Sequence, residues 1–85
     1  MEKVEVGSYL VVNPGVCHGQ LTFKGTRVPV VTALTYLAKG YSIDQLIENW
    51  PELPRPAIEE AIRLAARALV ARYAPPREVT ADASG

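Results

Sequence analysis

The stretch NPGVCHGQLTFKGTRVPV, Asn13 to Val30, divides the chain into a part that reads as extended backbone and a part that reads as helix. Before it, Tyr9 to Val12 is rich in β-formers and stops at Asn13-Pro14-Gly15, a strong turn signal. Within it, Leu21 to Phe23 lies between Gly19 and Gly25 and forms a second extended segment. These two segments are expected to pair as a small hairpin, or with the same strands of a neighbouring chain. A two-stranded ribbon is marginal alone, so either arrangement needs a helical layer or a partner.

From Pro29 the apolar period becomes helical. Proline suits a first helical turn, where its missing N–H costs nothing, and Val30, Ala33, Leu34 and Leu37 then share one face, with Thr32, Thr35 and Lys39 opposite. Gly40 is placed to end this helix in a left-handed cap. Ser42 and Gln45 have capping-box spacing, and Ile43, Leu46, Ile47 and Trp50 form the apolar face of a second, short helix that Pro51 terminates. A third helix is expected from Arg55 to Tyr73. Its main stripe is Ile58, Ala61, Ile62, Ala65, Leu69 and Arg72, flanked by Leu64, Ala68 and Ala71. That apolar arc is wider than one core needs, and a second chain best accounts for the surplus.

Eighty-five residues make one small domain, near the size at which oligomerisation helps. The reading is a single helix-turn-helix-like domain over 1–73 and a flexible, proline-bearing tail over 74–85. Nine basic and nine acidic residues balance, so no whole-molecule field draws the chain to nucleic acid or an anionic membrane. Any phosphate contact must come from a local patch. The single cysteine excludes an internal disulfide. MEKVEVGSYLVV lacks the basic and apolar regions of a signal peptide, and no run is long enough to span a bilayer, so a cytoplasmic location is expected.

Cys17-His18 invites a metal or nucleophile reading. In an extended segment adjacent side chains point to opposite faces, and there is no second His or Cys to complete a zinc site. Lys24-Gly25-Thr26 superficially resembles the end of a phosphate-binding loop, but the strand, glycine spacing and helix around it are wrong. Gly25, Thr26, Arg27 and Pro29 therefore read as a structural motif, with Thr26 and Arg27 holding the loop to the helical layer by hydrogen bonds or by an ion pair to a carboxylate such as Glu52. No catalytic residue, metal or cofactor is expected. The lone histidine has no evident partner, and the carboxylates lie mainly at solvent-facing helical positions.

Ser42 to Tyr73, a helix, a short break and a longer helix, has the order of a helix-turn-helix DNA reader. Candidate phosphate contacts are Lys39, Arg55, Arg63 and Arg67. Glu59 and Glu60 lie four and three residues before Arg63, which offsets part of that positive face. Candidate partner-interface residues are Leu64, Ala68, Ala71 and Tyr73.

Taken together, Asn13 to Gly19, Phe23 to Val30, Leu37 to Ile43, Trp50 to Leu53 and Ala57 to Ala65 resemble the small prokaryotic domain-of-unknown-function family number 433. The resemblance covers roughly Tyr9 to Leu69. It implies a mainly α, three-helix bundle of homeodomain-like or winged-helix-like type with short N-terminal strands. It also implies the antitoxin of a type II toxin–antitoxin pair, whose partner is a PIN-like ribonuclease. A homodimer that binds this toxin, and with it promoter DNA, is the leading expectation; a DNA-binding regulator without a toxin is the alternative.

Overall fold

The computed structural model describes residues 2–73 of the chain. Its N-terminal third is a three-stranded antiparallel sheet in the order β1 (Val4–Val6), β2 (Leu10–Val12), β3 (Leu21–Phe23). Val4 faces Val12 and Val6 faces Leu10, while Leu10 faces Phe23 and Val12 faces Leu21. The two expected segments thus pair with each other inside one chain. The third strand, β1, was not anticipated, although Val-Glu-Val has the alternation of one. It joins β2 through the three-residue loop Gly7-Ser8-Tyr9, in which Gly7 takes a φ of +65°.

Between β2 and β3 the expected extended backbone at Cys17-His18 is replaced by a single 3-10 turn, Cys17–Gly19. Cys17 and His18 adopt φ values of 50° and 57°, a region that costs a side-chain-bearing residue energy. Asn13 compensates nearby: its side-chain oxygen accepts the Gly15 N–H at 3.0 Å, and its carbonyl accepts the Val16 N–H at 2.9 Å. The Cys17 thiol donates to the Arg27 carbonyl at 3.2 Å, tying the loop to the turn that follows β3.

The helices form where their punctuation dictates. Helix α1 (Val30–Ala38) follows Pro29, which occupies the N-cap with an extended backbone. It ends through Gly40 at φ +100°, with the Tyr41 N–H reaching back to the Tyr36 carbonyl and the Gly40 N–H to Leu37, the paired bonds of a Schellman cap. Helix α2 (Ile43–Asn49) has the full capping box: the Gln45 N–H donates to Ser42 Oγ at 3.1 Å, and Gln45 Oε1 accepts the Ser42 N–H at 2.8 Å. Tyr36 packs edge-on against Trp50 and Tyr41, with ring centroids 5.3 and 5.0 Å apart, and so joins the ends of α1 and α2. Helix α3 (Arg55–Tyr73) closes the layer.

The core lies where α1 meets the sheet and the other two helices. Leu10, Phe23, Leu46, Leu53, Ala57, Ile58 and Ala61 are almost fully buried there, with Val28, Val30 and Ala33 around them. Burial of such side chains contributes about 1.5–3 kcal/mol for each of the larger ones, which is what holds three strands of three residues in place. On α3 the buried line is Ala57, Ile58 and Ala61, continued by half-buried Leu64. This corrects the expected core stripe: Ile62 and Leu69 are exposed. The two apolar stripes are neighbours on the helix: Ile58 and Ala61 of the first are buried, Leu64 of the second continues the line, and α3 packs this intermediate face against α1 and α2. The tail expected over residues 74–85 lies outside the described residues.

Candidate functional site

Helix α3 carries most of the residues that the sequence singles out, and the structure divides them. Up to Leu64 the helix is packed on its own core; from Ala65 to Tyr73 every residue is exposed, Leu69 and Val70 by about two thirds. Leu64 and Ala68 line an apolar groove of about 230 Å³, whose other walls include Val6, Leu10 and Leu21 of the sheet and Leu34 of α1. Ala71 instead borders a shallow hollow with Ala66, Arg67 and Val70. Tyr73 ends the helix with its ring 5.7 Å from the Arg72 guanidinium. Of the four partner-interface candidates, half-buried Leu64 therefore lies at the edge of the core and Ala68, Ala71 and Tyr73 lie on the exposed half-helix, and they do not share one surface.

The four basic candidates are not equivalent. Arg55, at the start of α3, is held in an ion pair by Asp44 of α2. Lys39 extends over the Tyr36 ring, 5.9 Å from its centroid. Arg63 and Arg67 are exposed one turn apart and are the pair most available to a phosphate. Neither Glu59 nor Glu60 forms an ion pair with Arg63 among the described residues.

Glu60 has another task that sequence reasoning missed. Its carboxylate accepts the Ser8 N–H at 2.9 and 3.1 Å and the Tyr9 N–H at 2.7 Å, anchoring the β1–β2 loop to α3. These bonds, Ser8 first, hold its pKa below the ordinary 4.5 against the opposing effect of burial, with help from the charges of Arg63 and Lys24. A depressed folded-state pKa stabilises the fold above the unfolded value, and that contribution is lost as pH falls below 4.5. Thermal melts between neutral pH and pH values under 4.5 should show a steeper acid loss in the wild-type chain than in Glu60→Gln; parallel profiles would remove this role for Glu60.

The Gly25-Thr26-Arg27-Pro29 motif lies in the link between β3 and α1. Thr26 closes the turn on itself rather than reaching the helical layer: its N–H and Oγ donate to the Phe23 carbonyl, at 3.1 and 2.9 Å, and its Oγ accepts the Val28 N–H at 3.0 Å. Gly25 has φ +77°, the value that the third position of a type II turn demands. Pro29 bridges to Thr22 and enters α1. Arg27 is a correction, because its side chain is exposed and forms no ion pair with Glu52 or any other carboxylate among the described residues.

Among the described residues no three His, Cys, Asp or Glu side chains gather into a metal-binding group, and no helix is long and apolar enough to cross a membrane. Over 53 residues, 62% of its length, the chain is 38% identical to the uncharacterized protein y4eO of Sinorhizobium fredii (strain NBRC 101917 / NGR234); the match spans 22% of that relative. The crystal structure of a DUF433 member protein from Anabaena variabilis has the same arrangement at a TM-score of 0.66 and 28% identity, over 78% of this chain and 67% of that one. Residues 10–65 match the family described as protein of unknown function (DUF433), and the chain belongs to that family.

Proposed function

We propose that this protein is the antitoxin of a type II toxin–antitoxin pair and that it holds a PIN-like ribonuclease through the distal half of α3. The observation that carries this reading is the nine-residue extension of α3 beyond its own core, Ala65 to Tyr73, with Leu69, Val70 and Tyr73 all more than 60% exposed. A free helical segment roughly 13 Å long is marginal in water and gains most when its apolar residues enter a partner's groove. Contiguous exposed apolar patches mark protein, membrane or ligand contact sites. The sequence resemblance supports the choice of a ribonuclease as the occupant.

Co-expression with the product of the adjacent gene tests the proposal. A complex of defined mass is expected in size-exclusion chromatography with light scattering. Leu69→Glu combined with Val70→Glu should weaken it at least tenfold, while the melting temperature of the free chain changes little because both positions are exposed. A double variant that binds as tightly as the wild type would dispose of this surface. The same light-scattering measurement reads the proposed homodimer, for which the small exposed residues Ala65 and Ala68 beside Leu64 permit close approach of two helices.

A second reading, a DNA-binding regulator without a toxin, is favoured by the α2–break–α3 order and by exposed Arg63 and Arg67. In it α2 and α3 take the helix-turn-helix role of a homeodomain-like or winged-helix-like bundle. With Arg55 and Lys39 engaged locally, two phosphate contacts per copy remain on α3, so binding should be weak and should depend on dimerisation. Fluorescence anisotropy with promoter duplex across a salt series decides it: affinity that falls steeply with salt and is lost in Arg63→Gln/Arg67→Gln supports DNA binding, and no signal at low salt removes it.

A further inference from the structure

We infer that the pocket between the Lys24–Arg27 turn and the Asn13–Val16 loop, on the sheet face turned away from the core, binds a phosphate group. Leu10 and Phe23 point to the core, so their neighbours Val11 and Thr22, which face each other across β2 and β3, point to the opposite side. A small sheet with one packed face leaves its second face to solvent. Here Val11 and Thr22 are 8% and 1% exposed. The loop after β2 folds back over them: Val16 lines the same pocket, and Cys17 is bonded to the Arg27 carbonyl. The outcome is a half-open pocket of about 450 Å³, within the range of about 300–1,000 Å³ typical of small-ligand sites.

Its chemistry is one-sided. Lys3, Lys24 and Arg27 line the walls and Thr22 the floor, with no carboxylate among the lining residues. Glu5 touches Lys24 at 3.1 Å from outside, with both side chains substantially exposed; such a pair is worth little and yields readily to a more highly charged anion. Three of the nine basic residues of an electrically balanced chain thus meet at one cavity. Elsewhere Arg55 is matched by Asp44, and Lys39 and Arg72 lie against aromatic rings. Arg27 and Lys3 have no ion-pair partner among the described residues.

The turn itself suits an anion. Thr26 spends its hydroxyl holding the loop, and the Gly25 N–H, at the edge of the cavity, makes no hydrogen bond among the described residues. A guanidinium fork, two ammonium groups and a free backbone donor favour the three oxygens and higher charge of a phosphate over a carboxylate. This site uses none of the α3 residues invoked for toxin or promoter binding.

A phosphate comes to such a site in two forms, as a free phosphate ester or pyrophosphate or as a phosphodiester of nucleic acid, and one titration separates them. Isotope-labelled protein is titrated at low salt with inorganic pyrophosphate, adenosine monophosphate and a short DNA duplex, and amide resonances are followed. Saturable shifts centred on Gly25, Thr26 and Arg27 are expected. Arg27→Gln and Lys3→Gln should each weaken binding about tenfold without altering the melting temperature, and Arg63→Gln/Arg67→Gln should leave it unchanged. Response to the small phosphates alone identifies a free ester; a duplex response that pyrophosphate competes away identifies the nucleic-acid backbone. Shifts reproduced by sodium chloride of equal ionic strength, or undiminished in both Arg27→Gln and Lys3→Gln, would overturn the site, as would no saturable response to any of the three.

Discussion

Phe23→Ala is expected to lower the melting temperature by about 15 °C or more, or to abolish cooperative unfolding. Phe23 is 1% exposed and is among the largest fully buried side chains. Removing such a ring costs roughly 3–5 kcal/mol, through lost transfer energy and the cavity left behind. A domain of this size has only about 4–12 kcal/mol of net stability to lose. Few neighbours can collapse into the gap, because Phe23 sits in a three-residue strand whose own carbonyl receives Thr26 and whose N–H reaches Val28 at 3.1 Å. The change therefore also loosens the Lys24–Arg27 turn. Circular dichroism melts measure the effect, with Phe23→Leu as the milder comparison; a loss of only a few degrees for alanine would show that the sheet contributes little to the core.

Gly7→Ala should be destabilising by about 1–2 kcal/mol from the backbone alone, since a φ of +65° is left-handed. A second penalty adds to it: a Cβ at Gly7 would lie 2.6 Å from Glu60 Oε2 and 2.9 Å from Oε1. Those oxygens accept Ser8 and Tyr9, so the carboxylate cannot move aside without giving up the bonds that fasten β1–β2 to α3. The two penalties separate in a double-mutant cycle. In a Glu60→Ala background the steric part disappears and only the backbone cost remains, so Gly7→Ala should be cheaper there than in the wild-type chain. Equal costs in the two backgrounds, read by chemical denaturation, would show that the loop and the carboxylate are uncoupled.

The division of labour along α3 bears on function as well as stability. Its first half is committed to the core and to Glu60, which leaves little freedom for evolution to place a recognition surface there. Beyond Leu64 every described residue of its second half is exposed, and Leu69 and Val70 leave an apolar surface open there. The proposed promoter contact, through Arg63 and Arg67, and the proposed toxin contact, through Leu69 and Val70, would fall on the same short length of helix. One occupant would then influence the other whenever both bind.

Local chemistry makes much of this protein legible in its sequence. The three helices, the capping box at Ser42 and Gln45, the left-handed end at Gly40 and the turn at Gly25 each depend on residues within a few positions of one another, and they form as the sequence reads. β1 was missed despite its alternation, because three residues carry too little pattern to count alone and its pairing comes from Val12 and Leu10. Cys17-His18 was misread as extended because left-handed backbone at two side-chain-bearing residues is stabilised by Asn13 and by the distant Arg27 carbonyl.

Tertiary structure alone decided the rest. The union of Glu60 with the loop at Ser8 and Tyr9 spans half a hundred residues and leaves no periodic trace. Which part of the two adjacent apolar stripes on α3 faces inward was set by its packing against α1 and α2, which left Leu69 exposed while Leu64 lines the groove. Lys3, Lys24 and Arg27, unremarkable as separate charges in a neutral chain, meet at one cavity only because β1 and β3 flank β2 and the Asn13–Gly19 loop folds back across it. Sequence determines what each short segment prefers, since those energies are local; the meeting of segments is settled by packing, whose energy depends on every partner at once.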